Sequence, residues 1–168
     1  YHLDEGYTEM KISAQNARGG VRSDRLPGEL YCHSLTDPSI LSRELREQGF
    51  HTLTLFGLDV PYAWFIHDNA RVRDEITASY LRALDQTIVE DLLDCLAVDE
   101  NGQTCVDAKS PLDLEESLGL PKGNIFHGNL TWPFSGPDGE TGAWGVETKY
   151  ENILICGSSA KRGGAVSG

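Results

Sequence analysis

The stretch that decides the predicted fold is Leu154-Ile-Cys-Gly-Ser-Ser-Ala-Lys-Arg-Gly-Gly-Ala-Val-Ser-Gly168. With Ile153 it begins as a short apolar strand, ending near Cys156, that enters a loop rich in glycine and serine. Glycines let such a loop adopt positive φ and let a ligand come close to the main chain, because no Cβ stands in the way. A strand that leads into this kind of loop, with a helix expected after it, presents backbone N–H groups to an anionic or electron-rich ligand. By spacing alone, a flexible Gly/Ser tail is the favoured interpretation, and a binding loop is the alternative.

Other segments of the chain extend this pattern. They are Leu120-Pro-Lys-Gly-Asn-Ile-Phe-His-Gly-Asn-Leu-Thr-Trp-Pro-Phe134, Trp144-Gly-Val-Glu-Thr148, Leu30-Tyr-Cys-His-Ser-Leu-Thr-Asp-Pro38 and His51-Thr-Leu-Thr-Leu-Phe-Gly57. Together with the tail, they resemble the C-terminal part of phytoene dehydrogenase-like FAD-dependent oxidoreductases, in the carotenoid desaturase and amine oxidase superfamily. The resemblance is sharpest over residues 110–168. It implies a piece of a larger flavoprotein, and a start at Tyr1 rather than at Met agrees with that expectation.

An α+β fold follows from both the pattern and the resemblance. Strands interleaved with helices favour an α+β layer structure. The resemblance implies that residues 1–125 are a substrate-domain fragment, a mixed β-sheet with covering helices. It implies that residues 126–168 return to the FAD-binding, Rossmann-like domain and supply its C-terminal strand and Gly-rich loop. The G-x-G-x-x-G turn of such a domain is absent from this sequence, since the glycines from Gly136 to Gly145 follow no predicted strand.

The resemblance also implies which residues bind FAD. Gly157 and Ser158 would lie against the pyrophosphate and ribityl part of FAD. The residues from Gly163 to Val166 would bring backbone N–H groups to the pyrimidine edge of the flavin. Donors at that edge stabilise negative charge on the reduced ring. At position 165 the family commonly has a third glycine, and at position 158 many members have an acid. The implied residues are Gly157, Ser158, Gly163, Gly164, Ala165 and Val166.

His127 is the predicted catalytic residue. The resemblance places the loop Asn124-Ile-Phe-His-Gly128 beside the flavin and the substrate cavity, where a histidine polarises the substrate or orients a proton. Trp132, Phe134 and Trp144 would form aromatic walls for the substrate. The alternatives are a structural histidine and aromatic side chains that pack in a core.

The function implied by the resemblance is redox chemistry on an apolar substrate such as a polyene. FAD would carry the hydride removal or double-bond rearrangement, and the fragment alone is expected to be inactive. The alternative is a non-enzymatic α+β module whose apolar sheet face binds a lipid or a protein partner. A flavin absorbance band in the whole protein distinguishes the two.

Composition excludes several other classes. A net charge of −12 without any cluster of Lys and Arg argues against a nucleic-acid partner. No apolar run approaches the ~18 residues of a membrane helix, which leaves peripheral contact with a membrane open. The four cysteines have no C-x-x-C spacing, and His33, His51 and His67 are far apart, so no metal site is predicted. The cysteines are expected to be buried, reduced thiols of a cytoplasmic protein.

Local patterns predict the main elements. A helix is expected over Glu5–Ala17, and strands over Glu29–Ser34 and His51–Leu58. Ser110 should cap a helix that Gly119 ends, and Asn101–Gly102 should form a tight turn. A long helix capped by Asp68 or Asn69 should bury a stripe of residues four apart, namely Ile76, Tyr80, Leu84, Ile88, Leu92 and Leu96.

Overall fold

A computed structural model describes residues 1–127 and 145–160 of the chain. The chain divides into two compact units, an N-terminal unit, Tyr1–Ala108, and a C-terminal unit, Lys109–Gly168. The functional division predicted at residue 125 stays a prediction. Within the described residues the fold is a mixture of helices and a small sheet: β1 (His2–Leu3), α1 (Tyr7–Arg18), β2 (Gly28–Tyr31), α2 (Arg43–Glu47), β3 (Thr54–Gly57), α3 (Asn69–Asp85), α4 (Leu92–Cys95) and α5 (Pro111–Leu118).

The sheet of the N-terminal unit has three strands in the order β1-β2-β3. Both neighbouring pairs are antiparallel, so the predicted mixed sheet is wrong for the described residues. The physical reason is the connection between β1 and β2. Leu3 at the end of β1 pairs with Gly28 at the start of β2, because the loop after α1 returns the chain to the end of the sheet that it left. The α+β class itself is confirmed at this coarse level.

One side chain of α3, Tyr80, packs against the face of the sheet that this helix covers. Tyr80 is 7% exposed and lies against Gly28 and Gly57, which are directly opposite each other in β2 and β3. A Cβ at Gly57 would stand 2.7 Å from the Tyr80 Oη atom, and one at Gly28 would stand 3.0 Å from its Cε1 atom. The phenol donates to the carbonyl oxygen of Pro27 at 2.8 Å. Burial raises the pKa of this phenol far above its ordinary value, so it stays a hydrogen-bond donor at every physiological pH.

The beginning of α3 and its buried stripe agree with the sequence pattern. The Asp68 side chain accepts a hydrogen bond from the backbone N–H of Arg71, which satisfies a free donor of the first turn. Together with the Arg71 guanidinium, this bond lowers the pKa of the Asp68 carboxyl. The residues of α3 that are buried are Val72, Ile76, Tyr80 and Leu84.

The predicted long helix is wrong beyond Asp85. Thr87 donates its hydroxyl to the carbonyl oxygen of Leu84, and the Asp85 side chain accepts from the backbone N–H of Leu92. These side-chain bonds replace the helical ones, and the run Thr87-Ile-Val89 is β-branched and therefore a poor helix former. Leu92 is buried as predicted, but it begins a separate helix, α4, whereas Ile88 is 41% exposed.

Four other predictions, for helix α1, the turn at Gly102 and the two strands, are confirmed, most of them with adjusted bounds. Helix α1 ends at Arg18 with Gly19 as its C-cap, and Gly102, at φ 76°, closes the turn between the bridged residues Val98 and Thr104. The strands β2 and β3 are shorter than predicted. The segments after β2 and before β3 are joined by a side chain instead of by strand pairing. The buried Ser34 hydroxyl accepts a hydrogen bond from the backbone N–H of Thr52 at 3.0 Å.

The cysteines are free but not buried. Cys32 is half-buried, and Cys95, Cys105 and Cys156 are exposed, so the predicted burial is wrong. The reason for Cys95 is that α4 is a single short turn that buries only Leu92. As for membrane insertion, among the described residues no helix combines the length and the apolar character that crossing a bilayer requires.

The glycine pair under Tyr80 gives the first prediction. Gly57→Ala should lower the free energy of unfolding by roughly 1–3 kcal/mol, because the new methyl group overlaps the buried phenol. Gly19→Ala is the control, since its Cβ would stand 3.4 Å from the nearest carbonyl oxygen, an ordinary contact. Urea unfolding of both variants measures the difference. Equal midpoints would contradict the packing described here.

The end of α3 gives the second prediction. Leu84→Ala should cost about 2–5 kcal/mol, because it removes buried methyl groups from the core. Ile88→Ala, four residues later on the same sequence pattern, should cost less than about 1 kcal/mol because Ile88 is exposed. Thermal unfolding followed by circular dichroism compares them. If Ile88→Ala proves as destabilising as Leu84→Ala, the helix continues past Asp85 after all.

Candidate functional site

The candidate site lies in the C-terminal unit and starts from α5. The Ser110 hydroxyl accepts the backbone N–H of Asp113, and the Asp113 carboxylate accepts the backbone N–H of Ser110, which forms a capping box with Pro111 in the first turn. Gly119, at φ 69°, ends the helix in the left-handed conformation. The sequence predicted the serine cap, the first-turn proline and the glycine stop.

The segment after α5 is fixed against the beginning of the same helix. A Cβ at Gly123 would overlap the carbonyl oxygen and the Cα atom of Pro111, which leaves room only for glycine. The backbone N–H of Lys122 donates to a carboxylate oxygen of Glu115 at 2.8 Å. The short 3₁₀ turn Pro121–Gly123 is therefore attached to α5 at two points, and it sets where the following residues begin.

A tight turn then carries His127. The Asn124 side chain accepts the backbone N–H of Phe126 at 2.9 Å, and the Asn124 carbonyl oxygen accepts the backbone N–H of His127 at 2.8 Å. His127 has a φ of 60°, a conformation that few residues other than glycine adopt without strain. The turn thus holds this half-buried histidine in an unusual backbone conformation, a feature that recurs at functional sites.

The second part of the site is a small hairpin. Glu147 and Leu154 form an isolated antiparallel bridge, and the backbone N–H of Ile155 donates to the carbonyl oxygen of Val146 at 2.7 Å. The predicted strand from Ile153 to Cys156 is therefore present only as one bridged pair. The Thr148 hydroxyl donates to the carbonyl oxygen of Ile153 at 2.8 Å, so a side chain closes the turn. The hairpin thus brings together the motifs Gly-Val-Glu-Thr and Ile-Leu-Ile-Cys-Gly, which only residues 149–152 separate.

The two parts meet at one hydrogen bond. The Nδ1 atom of His127 and the hydroxyl oxygen of Ser159 are 2.7 Å apart, across 32 residues of sequence. Ser159 ends the 3₁₀ turn Gly157–Ser159, in which Gly157 has a φ of 77°. Ala160, which follows, is 5% exposed and anchors the turn. The predicted catalytic histidine therefore contacts the first turn of the predicted FAD loop.

Gly157 offers open space on its side-chain face. Of the atoms that the structure describes, none lies within 4 Å of a Cβ built at this position. The same is true of Gly119 and Gly102, which also have positive φ. At Gly119 and Gly102 the positive φ only allows the chain to end a helix or to close a turn. At Gly157 the open space lies beside the Ser159 hydroxyl and the His127 imidazole. Backbone, hydroxyl and ring nitrogen together can bind an anionic or polar ligand group.

The remaining predicted site residues lie outside the described parts of the chain. Of the predicted set, Gly157 and Ser158 are half-buried in the 3₁₀ turn, next to the residue that contacts His127. No sequence motif singles out Ser159, whose local signal is the Ser158-Ser159 pair after Gly157. The residues outside the described ranges are Trp132, Phe134, Trp144, Gly163, Gly164, Ala165 and Val166, whose predicted roles stay predictions.

Comparison with known proteins gives relatives over the whole chain. It is 44% identical, over 172 residues, to uncharacterized proteins of Mycobacterium tuberculosis and Mycobacterium bovis, covering 100% of this chain and 32% of theirs. It is 30% identical to the pyridine nucleotide-disulfide oxidoreductase domain-containing protein 2 of Rattus norvegicus, over 92% of this chain and 25% of that protein. The chain thus spans about a third or less of these relatives. No protein-family model matches it, and no solved structure matches it. The narrower resemblance to phytoene dehydrogenases stays a prediction.

The backbone at His127 gives the third prediction. His127→Val should lower the free energy of unfolding by roughly 1–2 kcal/mol, because a β-branched residue does not tolerate positive φ. His127→Asn should stay within about 0.5 kcal/mol, since asparagine adopts that conformation readily. His67→Val, at an exposed histidine with ordinary φ, is the control. Chemical unfolding measures all three variants, and equal stability of the Val and Asn variants at position 127 would contradict the geometry.

Proposed function

We propose that the chain is the C-terminal part of a FAD-dependent oxidoreductase that acts on an apolar substrate. The observation that carries this proposal is the contact between His127 and Ser159. It joins the loop that the resemblance assigns to substrate to the loop that it assigns to the cofactor. The relatives named for a pyridine nucleotide-disulfide oxidoreductase domain support redox chemistry at a coarser level.

The described residues fit a dinucleotide at the glycine loop. Gly157 combines positive φ with space that none of the described atoms fills where a side chain would stand, so a ligand could lie against its backbone. Ser158 adds a hydroxyl group that would bind a phosphate oxygen or a ribityl hydroxyl. In the proposal, Gly163, Gly164, Ala165 and Val166 continue this surface along the flavin ring. FAD, when bound, supplies the two-electron redox step.

His127 would orient the substrate rather than react covalently with it. Its Nδ1 atom is engaged by the Ser159 hydroxyl, which fixes the plane of the ring. A histidine held in this way presents its other nitrogen, Nε2, to a polar atom of the substrate, where it holds or transfers a proton. Ser159 is thus a positioning residue in the proposal, because it acts on the substrate only through His127.

The nature of the substrate rests on the resemblance and on composition. An apolar, polyene-like molecule fits the proposed walls of Trp132, Phe134 and Trp144, since aromatic side chains bind extended apolar groups by stacking and burial. Such a substrate carries few polar groups. Its orientation would therefore depend on shape, with His127 as the polar contact of the described part of the site.

The fourth prediction tests cofactor binding in the full-length protein. The wild type should purify with a flavin band near ~450 nm. Gly157→Ala should lose most of its flavin, because the added methyl group stands where the ligand approaches the backbone. Gly119→Ala is the matched control, with positive φ and equal open space in the same unit, so it should carry the same strain and keep its flavin. Equal flavin content in both variants would contradict the assignment.

A further variant separates binding from turnover. Ser159→Ala should retain flavin while reduction of the flavin by an apolar donor substrate, without oxygen, slows by about tenfold, because the ring of His127 loses its support. A folded full-length protein without any flavin would overturn the proposal. It would favour the alternative, an α+β module that binds a lipid or a protein partner.

A further inference from the structure

A cluster of possible metal ligands lies at the sheet of the N-terminal unit. Ligand atoms of His2, Glu5 and Glu29 all lie within 4.8 Å of one another. His2 and Glu29 are register partners in the antiparallel pair β1–β2, so both side chains project from the same face. Asp4, at φ 50°, turns the chain sharply after β1. The Oε2 atom of Glu5 consequently lies 2.5 Å from the Nδ1 atom of His2.

The carboxylate of Glu5 is largely buried. The Glu5 side chain is 13% exposed, and its Oε1 atom is buried without a hydrogen-bond partner among the described residues. A buried carboxylate oxygen that has left water without gaining a donor costs free energy. A cation placed between the three side chains would offset that cost, because it bonds directly to carboxylate oxygens.

The charges around the cluster also favour a cation. Within the described ranges neither Glu5 nor Glu29 forms an ion pair with a lysine or an arginine, and the neighbouring Arg25 pairs with Asp4 instead. The Tyr31 phenol donates to Glu29 at 2.6 Å. The site therefore combines two carboxylates, an imidazole and a supporting phenol.

We propose that His2, Glu5 and Glu29 bind a divalent first-row transition-metal ion. An imidazole with two carboxylates suits Mn²⁺ or Zn²⁺, whereas Mg²⁺ and Ca²⁺ prefer oxygen ligands alone. The ion would bond to the Nδ1 atom of His2 and to a carboxylate oxygen of Glu5 in place of the contact that now joins them. Because its ligands come from β1, the lead-in to α1 and β2, it fastens the short edge strand to the rest of the sheet.

The experiment is a titration of the full-length protein with Mn²⁺, followed by the EPR signal of the free ion. Mn²⁺ is the probe because it has little preference for thiols, of which the chain has four. Wild type should bind the ion saturably, and Glu29→Gln and His2→Gln should each weaken binding about tenfold or more. Glu47→Gln, which removes an exposed carboxylate on α2, is the control and should bind like wild type.

Folding is measured on the same variants so that a misfolded protein is not mistaken for a lost site. Mn²⁺ should raise the melting temperature of wild type and of Glu47→Gln, but not of the two site variants. Glu29→Asp, which keeps a carboxylate, should recover part of the affinity. Equal Mn²⁺ affinity in wild type and in a folded site variant would overturn the proposal, as would the absence of saturable binding. If Glu29→Gln fails to fold, His2→Gln decides in its place.

Discussion

The phenol ring of Tyr80 packs against two glycines that face each other in β2 and β3, and this contact joins α3 to the sheet of the N-terminal unit. Gly28 and Gly57 leave the space that the ring fills, and the hydroxyl reaches the carbonyl oxygen of Pro27. That carbonyl also accepts the backbone N–H of Leu58 at 2.9 Å, so α3, the entry to β2 and the exit of β3 share one atom. A sheet of such short strands has few ladder hydrogen bonds, and this contact ties it to its helix.

Local signals in the sequence predict the helix ends well. Asp68, Ser110 and Gly119 act within one turn of their own positions, so the residue type and its spacing suffice. The end of α3 shows the limit of this approach. A four-residue apolar repeat continues through Ile88, but the backbone departs at Asp85 because Thr87 and Asp85 make side-chain bonds that no periodicity records.

The long-range features could not be predicted in the same way. In the sequence, Gly28 and Gly57 indicate only a turn or an interruption of the alternation of side chains along a strand. The register of β2 and β3 is what places the two glycines opposite each other. Likewise His127 was a candidate on its sequence context, whereas Ser159 became one through a contact across 32 residues. The pairing of distant residues depends on tertiary packing, which residue spacing in one sequence does not encode.

The attachment of the residue 120–127 segment to α5 has a consequence for the order of folding. The contacts that shape the backbone around His127 join residues fewer than fifteen positions apart, from Pro111 to Asn124. Contacts of short sequence separation close quickly, because little chain entropy is lost. We therefore expect the turn at His127 to form before its contact with Ser159, which must close 32 residues of chain.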